Sequence, residues 1–153
     1  MVLLLMASRV RWDAANFLGH LRETMERTVV LMAEEVIAQA MPDIPVDTGT
    51  LRRSHTVTLD ELPDAGEIFE AAKAGKSFNN EAPKPRRSLS LKDVTAYASG
   101  NTPYALMWHE RTDWTPGPRN PNAKPKWLEN ALNRVTPRVD EFVALARKKV
   151  FGS

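Results

Sequence analysis

The sequence contains no cysteine. Disulfides and thiolate zinc sites are therefore excluded, and the absence suits a cytosolic site of synthesis. Glycine is sparse, with 7 in 153 residues, and none falls in a G-x-x-x-x-G-K phosphate loop or a nucleophile elbow. No apolar run approaches the roughly 20 residues of a membrane-spanning helix. The longest, Met1-Val2-Leu3-Leu4-Leu5-Met6-Ala7, is too short for a signal peptide, and no basic residue precedes it. It reads as a strand, or as an arm that docks on a neighbour. The net charge, +2, is too small to argue for nucleic acid by itself.

What is present describes a soluble globular chain. Hydrophobic residues make up 42% and charged residues 26%, and the length suits one domain with a real core. Charge is unevenly spread: residues 1–50 carry a net −3, 51–100 +1, and 101–153 +4. Such a gradient would help like subunits pack head to tail, although an unevenly charged solvated surface accounts for it as well.

Residues 13–41 read as one amphipathic helix. Asp13 is placed to cap it, Pro42 ends it, and Phe17, Leu18, Leu21, Met25, Val29, Met32, Val36, Ile37 and Ala40 form an apolar stripe. Glu23 and Arg27 form an i,i+4 pair on its surface. At about 42 Å, the helix is long for the core of a domain this size. It lies across a sheet, packs on another subunit, or does both. Pro45, Asp47, Thr48 and Gly49 then predict a tight turn ahead of Leu51, with Gly49 at positive φ. Alternation from Leu51 predicts a strand over 52–60, and 93–98 predicts its return. Between them, 61–92 reads as a long loop or extended hairpin with a short helix near 67–74. Ser99-Gly100-Asn101 reads as a turn, and Tyr104 to Glu110 fits either a strand or two helical turns. Four prolines between Pro116 and Pro125 predict a rigid loop, and a second amphipathic helix over 126–150 should kink or split at Pro137.

The chemistry-bearing residues are few and scattered. His109-Glu110 begins a His-Glu-x-x-His pattern, but Asp113 stands where the second His is needed. His20 and His55 are far from it in sequence, so structural hydrogen bonding is the plainer role for His109 and Glu110. Asp47-Thr48-Gly49 matches the Asp-Thr-Gly of aspartic proteases, yet a helix and two prolines precede it rather than a hydrophobic strand. Lys84, Arg86 and Arg87 form a basic patch that would touch DNA phosphates or an acidic neighbour, or simply be solvated. No catalytic residue, metal ligand or cofactor site is assigned.

A helix followed by Pro45-Val46-Asp47-Thr48-Gly49-Thr50-Leu51-Arg52-Arg53-Ser54 resembles the neck or tail-completion proteins of long-tailed bacteriophages, a family of minor tail structural proteins. Two later stretches fit the family in order. One runs from Pro103 to Thr112 and includes Tyr104, Ala105, His109, Glu110 and Thr112. The other runs from Lys124 to Leu132 and includes Pro125, Trp127, Leu128 and Ala131. Arg111 departs from the pattern, since the family commonly has Gly there. The expected fold is α+β: a long N-terminal helix, a small antiparallel sheet with an extended hairpin or loop, and a C-terminal helix. The resemblance implies a non-enzymatic virion protein of the neck, a ring of six copies through which DNA passes. Its partners would be neighbouring neck, connector and tail proteins, with no membrane and no cofactor. The alternatives are a tail-terminator or head-completion ring, or, from another class, a cellular hydrolase or nucleic-acid-binding protein.

Overall fold

The computed structural model describes residues 13–77, 83 and 92–152. The Asp13 carboxylate accepts from the backbone N–H of Asn16 at 3.0 Å and starts helix α1, Ala14–Ala40. Pro42 tightens its end into a 3-10 turn over Met41–Asp43. After the turn come α2 (Thr50–Arg53), β1 (His55–Leu59) and α3 (Ala65–Lys73). Then follow β2 (Ala96–Gly100), α4 (Ala105–Glu110), α5 (Trp127–Val135) and α6 (Val139–Phe151). A 3-10 turn over Thr136–Arg138 separates the last two helices. The fold is α+β and mostly helical: a long first helix, a two-stranded antiparallel sheet and a C-terminal helical pair.

The strand predicted from residue 52 begins three residues later. Gly49 takes φ +82°, and the chain leaves it as a single helical turn closed by Arg53 N to Gly49 O at 3.0 Å and Ser54 N to Thr50 O at 3.0 Å. The alternation in Leu51–Ser54 therefore does not lie on a strand. At the other edge, Ser99 and Gly100 are not a turn. They pair with Thr56 and His55, and the register continues through Val57 opposite Ala98 to Leu59 opposite Ala96. Beyond Leu59, Asp60 takes over the ladder. Its N–H donates to Thr95 O at 2.7 Å, and its carboxylate accepts from Thr95 N at 3.0 Å. The short helix foreseen near 67–74 is α3, capped by the Asp64 carboxylate on Glu67 N.

α1 packs against α6, α5 and both strands of its own chain. Its C-terminal half buries Val30, Ala33, Val36 and Ala40, of which Val36 and Ala40 share the core with Trp127, Ala131, Val135 and Phe142. Its N-terminal half departs from the predicted stripe. Phe17, Leu21 and Met25 are 44%, 38% and 37% exposed, while Arg22 and Glu26 are buried. Arg22 Nε donates to Glu26 at 2.7 Å, and the guanidinium also reaches Asp60 and the carbonyl of Lys92. The helix is thus turned so that an ion pair, rather than the apolar stripe, faces inward over its first turns.

Much of the uneven charge is met within the chain. Glu35 pairs with Arg138 at 2.9 Å, Asp43 with Arg134 at 3.4 Å and Asp47 with Arg119 at 3.2 Å. Acids of the first third face bases of the last third in one chain, so the gradient does not require a neighbour.

Candidate functional site

The turn after α1 is fixed from three sides. Ile44 is fully buried beneath it. Asn120 Nδ2, from the proline-rich loop, donates to Pro42 O at 2.8 Å and Ile44 O at 2.7 Å. Arg53 reaches back to Thr48 O at 3.2 Å and across to Ala72 O of α3 at 3.0 Å. The Thr48 and Thr50 hydroxyls meet at 2.8 Å. Asp47, by contrast, is on the surface, held by Arg119 through its backbone carbonyl and its carboxylate. An Asp so placed is a turn former rather than the buried acid of a protease dyad.

Downstream of the turn, Leu51 O accepts from His55 Nδ1 at 2.8 Å. A carbonyl only accepts, so Nδ1 carries the proton and Nε2 is left as an acceptor. Trp127 Nε1 fills it at 3.2 Å. Burial pushes His55 down to about 4, because its charged form would be stranded in the core. The His109 ring stands edge-on to the same indole, with centroids 4.9 Å apart. Two histidines that sequence separation kept apart therefore flank one tryptophan. His20 lies elsewhere, its ring tilted against Phe151 with centroids 5.3 Å apart.

α4 and α5 are tied together around this tryptophan. Lys126, in the left-handed region at φ 54°, donates its N–H to His109 O at 2.7 Å. Its ammonium bridges Glu129 at 2.8 Å and Glu110 at 3.4 Å. His109 Nδ1 meets Glu110 at 2.6 Å, and this contact, more than Lys126, lowers the Glu110 carboxyl below its ordinary value. Pro125 O accepts from the Asn130 side chain at 3.1 Å. Ala131 is fully buried, Leu128 packs against the core from its edge, and Thr112 is exposed. Arg111 sits at φ −70° in extended backbone. Nothing at this position needs glycine, so the departure from the family pattern costs no loop geometry. Its guanidinium pairs instead with Asp113 at 2.9 Å.

Leu51, Ala105, Trp127 and Ala131, one or two from each of the three resembling stretches, share one core cluster. Over it opens a cleft of about 510 Å³, lined on one side by Pro45 to Leu51 and on the other by Tyr104, Trp108, Trp114, Thr115 and Gly117. Trp108 and Trp114 meet edge to face at 5.8 Å. Trp114 and the proline-rich loop completing this wall were not singled out as site residues. Only the proline count marked that loop, and it gave rigidity without a destination.

Among the described residues no three His, Asp or Glu side chains are grouped to hold a metal ion, and no helix is long and apolar enough to cross a membrane. Lys84, Arg86 and Arg87 lie outside the described residues. No family model matches the chain, and neither does any curated protein or solved structure.

Proposed function

We propose that the protein is a structural subunit of a long-tailed phage neck, acting in tail completion at the joint between connector and tail. Subunits close into a ring, six by the family resemblance, and DNA passes through the lumen. The role is geometric. Each subunit presents a rigid junction of helix, turn and loop to its neighbours and to the rings above and below.

The observation that carries this reading is the convergence around Trp127. Stretches at 45–54, 103–112 and 124–132 were joined only by resemblance and order. In the fold they pack on one core; Lys126 joins the second and third through its N–H to His109 O and its ammonium to Glu110, and His55, just past the first, bridges Leu51 O to Trp127. Residues that share a structural duty are expected to meet in this way. The arrangement gives a stiff platform whose surface carries aromatic and apolar side chains, including Leu106 and Met107 of α4.

The test is the position and copy number of the protein in intact virions. Cryo-electron microscopy should find a ring of its density between connector and tail, and quantitative mass spectrometry should find about as many copies as the ring has subunits. Absence from particles, or single copies away from that joint, would overturn the proposal. A ring at the head-proximal or tail-terminal position would assign it to the neighbouring neck roles instead.

A further inference from the structure

The cleft over the Trp127 core has an unequal stock of hydrogen-bonding groups. On the wall from Pro45 to Leu51 most acceptors are already used. Arg53 donates to Gly49 O from its backbone N–H and to Thr48 O from its guanidinium. Arg119 holds Asp47 through both its carbonyl and its carboxylate. His55 and the Ser54 hydroxyl take Leu51 O, and the Thr48 and Thr50 hydroxyls pair with each other. Asp47 is the only charged side chain among the described lining residues. The facing wall offers donors instead. Tyr104 carries a hydroxyl, and Trp114 Nε1 is shielded from water and has no acceptor among the described residues. An N–H left in that state is destabilising until an acceptor reaches it.

We infer that this cleft binds an uncharged proline-rich segment of another protein in the polyproline II conformation. An ordinary peptide entering it would strand main-chain N–H groups against a wall with few acceptors to give. A prolyl residue has no N–H, and its carbonyl is an acceptor. Its compact apolar ring docks on aromatic faces, and the polyproline II helix is formed before binding, so little ordering is needed. Trp108 and Trp114 stand perpendicular, at 89° with centroids 5.8 Å apart, and make a corner for such a ring. Tyr104, four residues before Trp108, extends the same wall. A small turn of the Trp114 indole towards the cleft gives its N–H to a ligand carbonyl. The size agrees. The volume of about 510 Å³ falls within the roughly 300–1,000 Å³ of ligand sites, and four polyproline residues run about 12 Å. The inference stands apart from the neck reading and is tested on the isolated chain.

Capped octaproline is the probe, added to the full chain and followed through the indole N–H resonances in NMR. The Trp108 and Trp114 signals should move saturably, with a Kd below about 1 mM, while Trp127, buried in the core, should stay. A capped Gly-Ser peptide of equal length must be ordered and strands its N–H groups, so it should bind at least about tenfold more weakly. Trp114→Phe keeps an aromatic ring without the N–H and should weaken octaproline binding about threefold to tenfold. Thr115 is exposed on the cleft wall. Thr115→Lys should leave chemical denaturation unchanged and weaken octaproline binding at least about tenfold, because the ammonium loses water as the ligand seats. The inference is overturned if the two indole signals do not move, or if the Gly-Ser peptide binds as well. Parental affinity in either variant would equally sink it. So would self-association that Thr115→Lys abolishes, since a second copy would then fill the cleft.

Discussion

His55 is held neutral by two partners of opposite demand, a carbonyl that needs its proton and an indole that needs its lone pair. Its ring is buried, and its pKa falls from 6.5 to about 4. The sign follows directly. As pH drops below 6.5 the unfolded chain takes up a proton that the folded one refuses, so stability declines from there to about pH 4 and then levels. The span corresponds to about 3 kcal/mol. Urea titrations at pH 7.5 and 4.5 should show that loss in the parent and a smaller one in His55→Asn. The His55 ring resonances in NMR should stay untitrated until near pH 4, and a midpoint near 6.5 would refute the account. A second residue-scale case is Gly49 at φ +82°. A Cβ there would lie 2.7 Å from Arg53 Nη1, disturbing the bonds to Thr48 and Ala72 as well as straining the backbone. Gly49→Ala should cost about 1 kcal/mol and Gly49→Val more in chemical denaturation. Neutral behaviour of both would count against the left-handed turn.

At the scale of elements, the Arg22–Glu26 pair decides how α1 is rotated. Removing one partner leaves a buried charge, and Glu26→Leu should destabilise by about 3 kcal/mol or more. Arg22→Met/Glu26→Leu should recover most of the loss, because two apolar chains of similar volume need no solvation. A double-mutant cycle in urea checks this, and additive losses would contradict it. The same pair explains where the sequence was legible and where it was not. Helix boundaries were readable wherever a local signal set them. Asp13 caps α1, Pro42 ends it, and Pro137 splits the last helix into α5 and α6. Rotation about the helix axis was not readable. The Phe17–Met25 stripe suggested an inward face, but the partners of Arg22 lie 38 and 70 residues away, at Asp60 and Lys92. The start of β1 was missed for a similar reason. Alternation over Leu51–Ser54 is compatible with a strand, and only the closure of a helical turn on Gly49 and Thr50 removes it. At the site, the glycine turn was foreseen, whereas the meeting of His55 and His109 at Trp127 rests on contacts that no spacing encodes.

For the whole molecule, the question is what folding leaves over for the proposed assembly. Much of the charge gradient is consumed internally, through Glu35–Arg138, Asp43–Arg134 and Asp47–Arg119. Head-to-tail electrostatics is therefore a weak basis for the proposed ring, whose contact would be sought among exposed apolar side chains. Leu106 is 72% exposed and Met107 48%, both on α4 beside the aromatic cleft and over the core of Ala105 and Trp127. Their exposure means that folding gains little from them. Leu106→Asp/Met107→Asp should therefore change the unfolding free energy by only about 0.5 kcal/mol. In the ring reading, however, the same change puts two charges into a buried contact between subunits, where they have no partner. Particles made with the variant as the only source should then contain at least about tenfold less of it, a loss equivalent to about 1.4 kcal/mol or more of contact energy. Infectivity should fall in parallel. Denaturation of the purified variant and mass spectrometry of the particles separate the two effects. Incorporation at the parental level would remove α4 from the interface, and a large drop in unfolding free energy would mean that these side chains serve the fold instead.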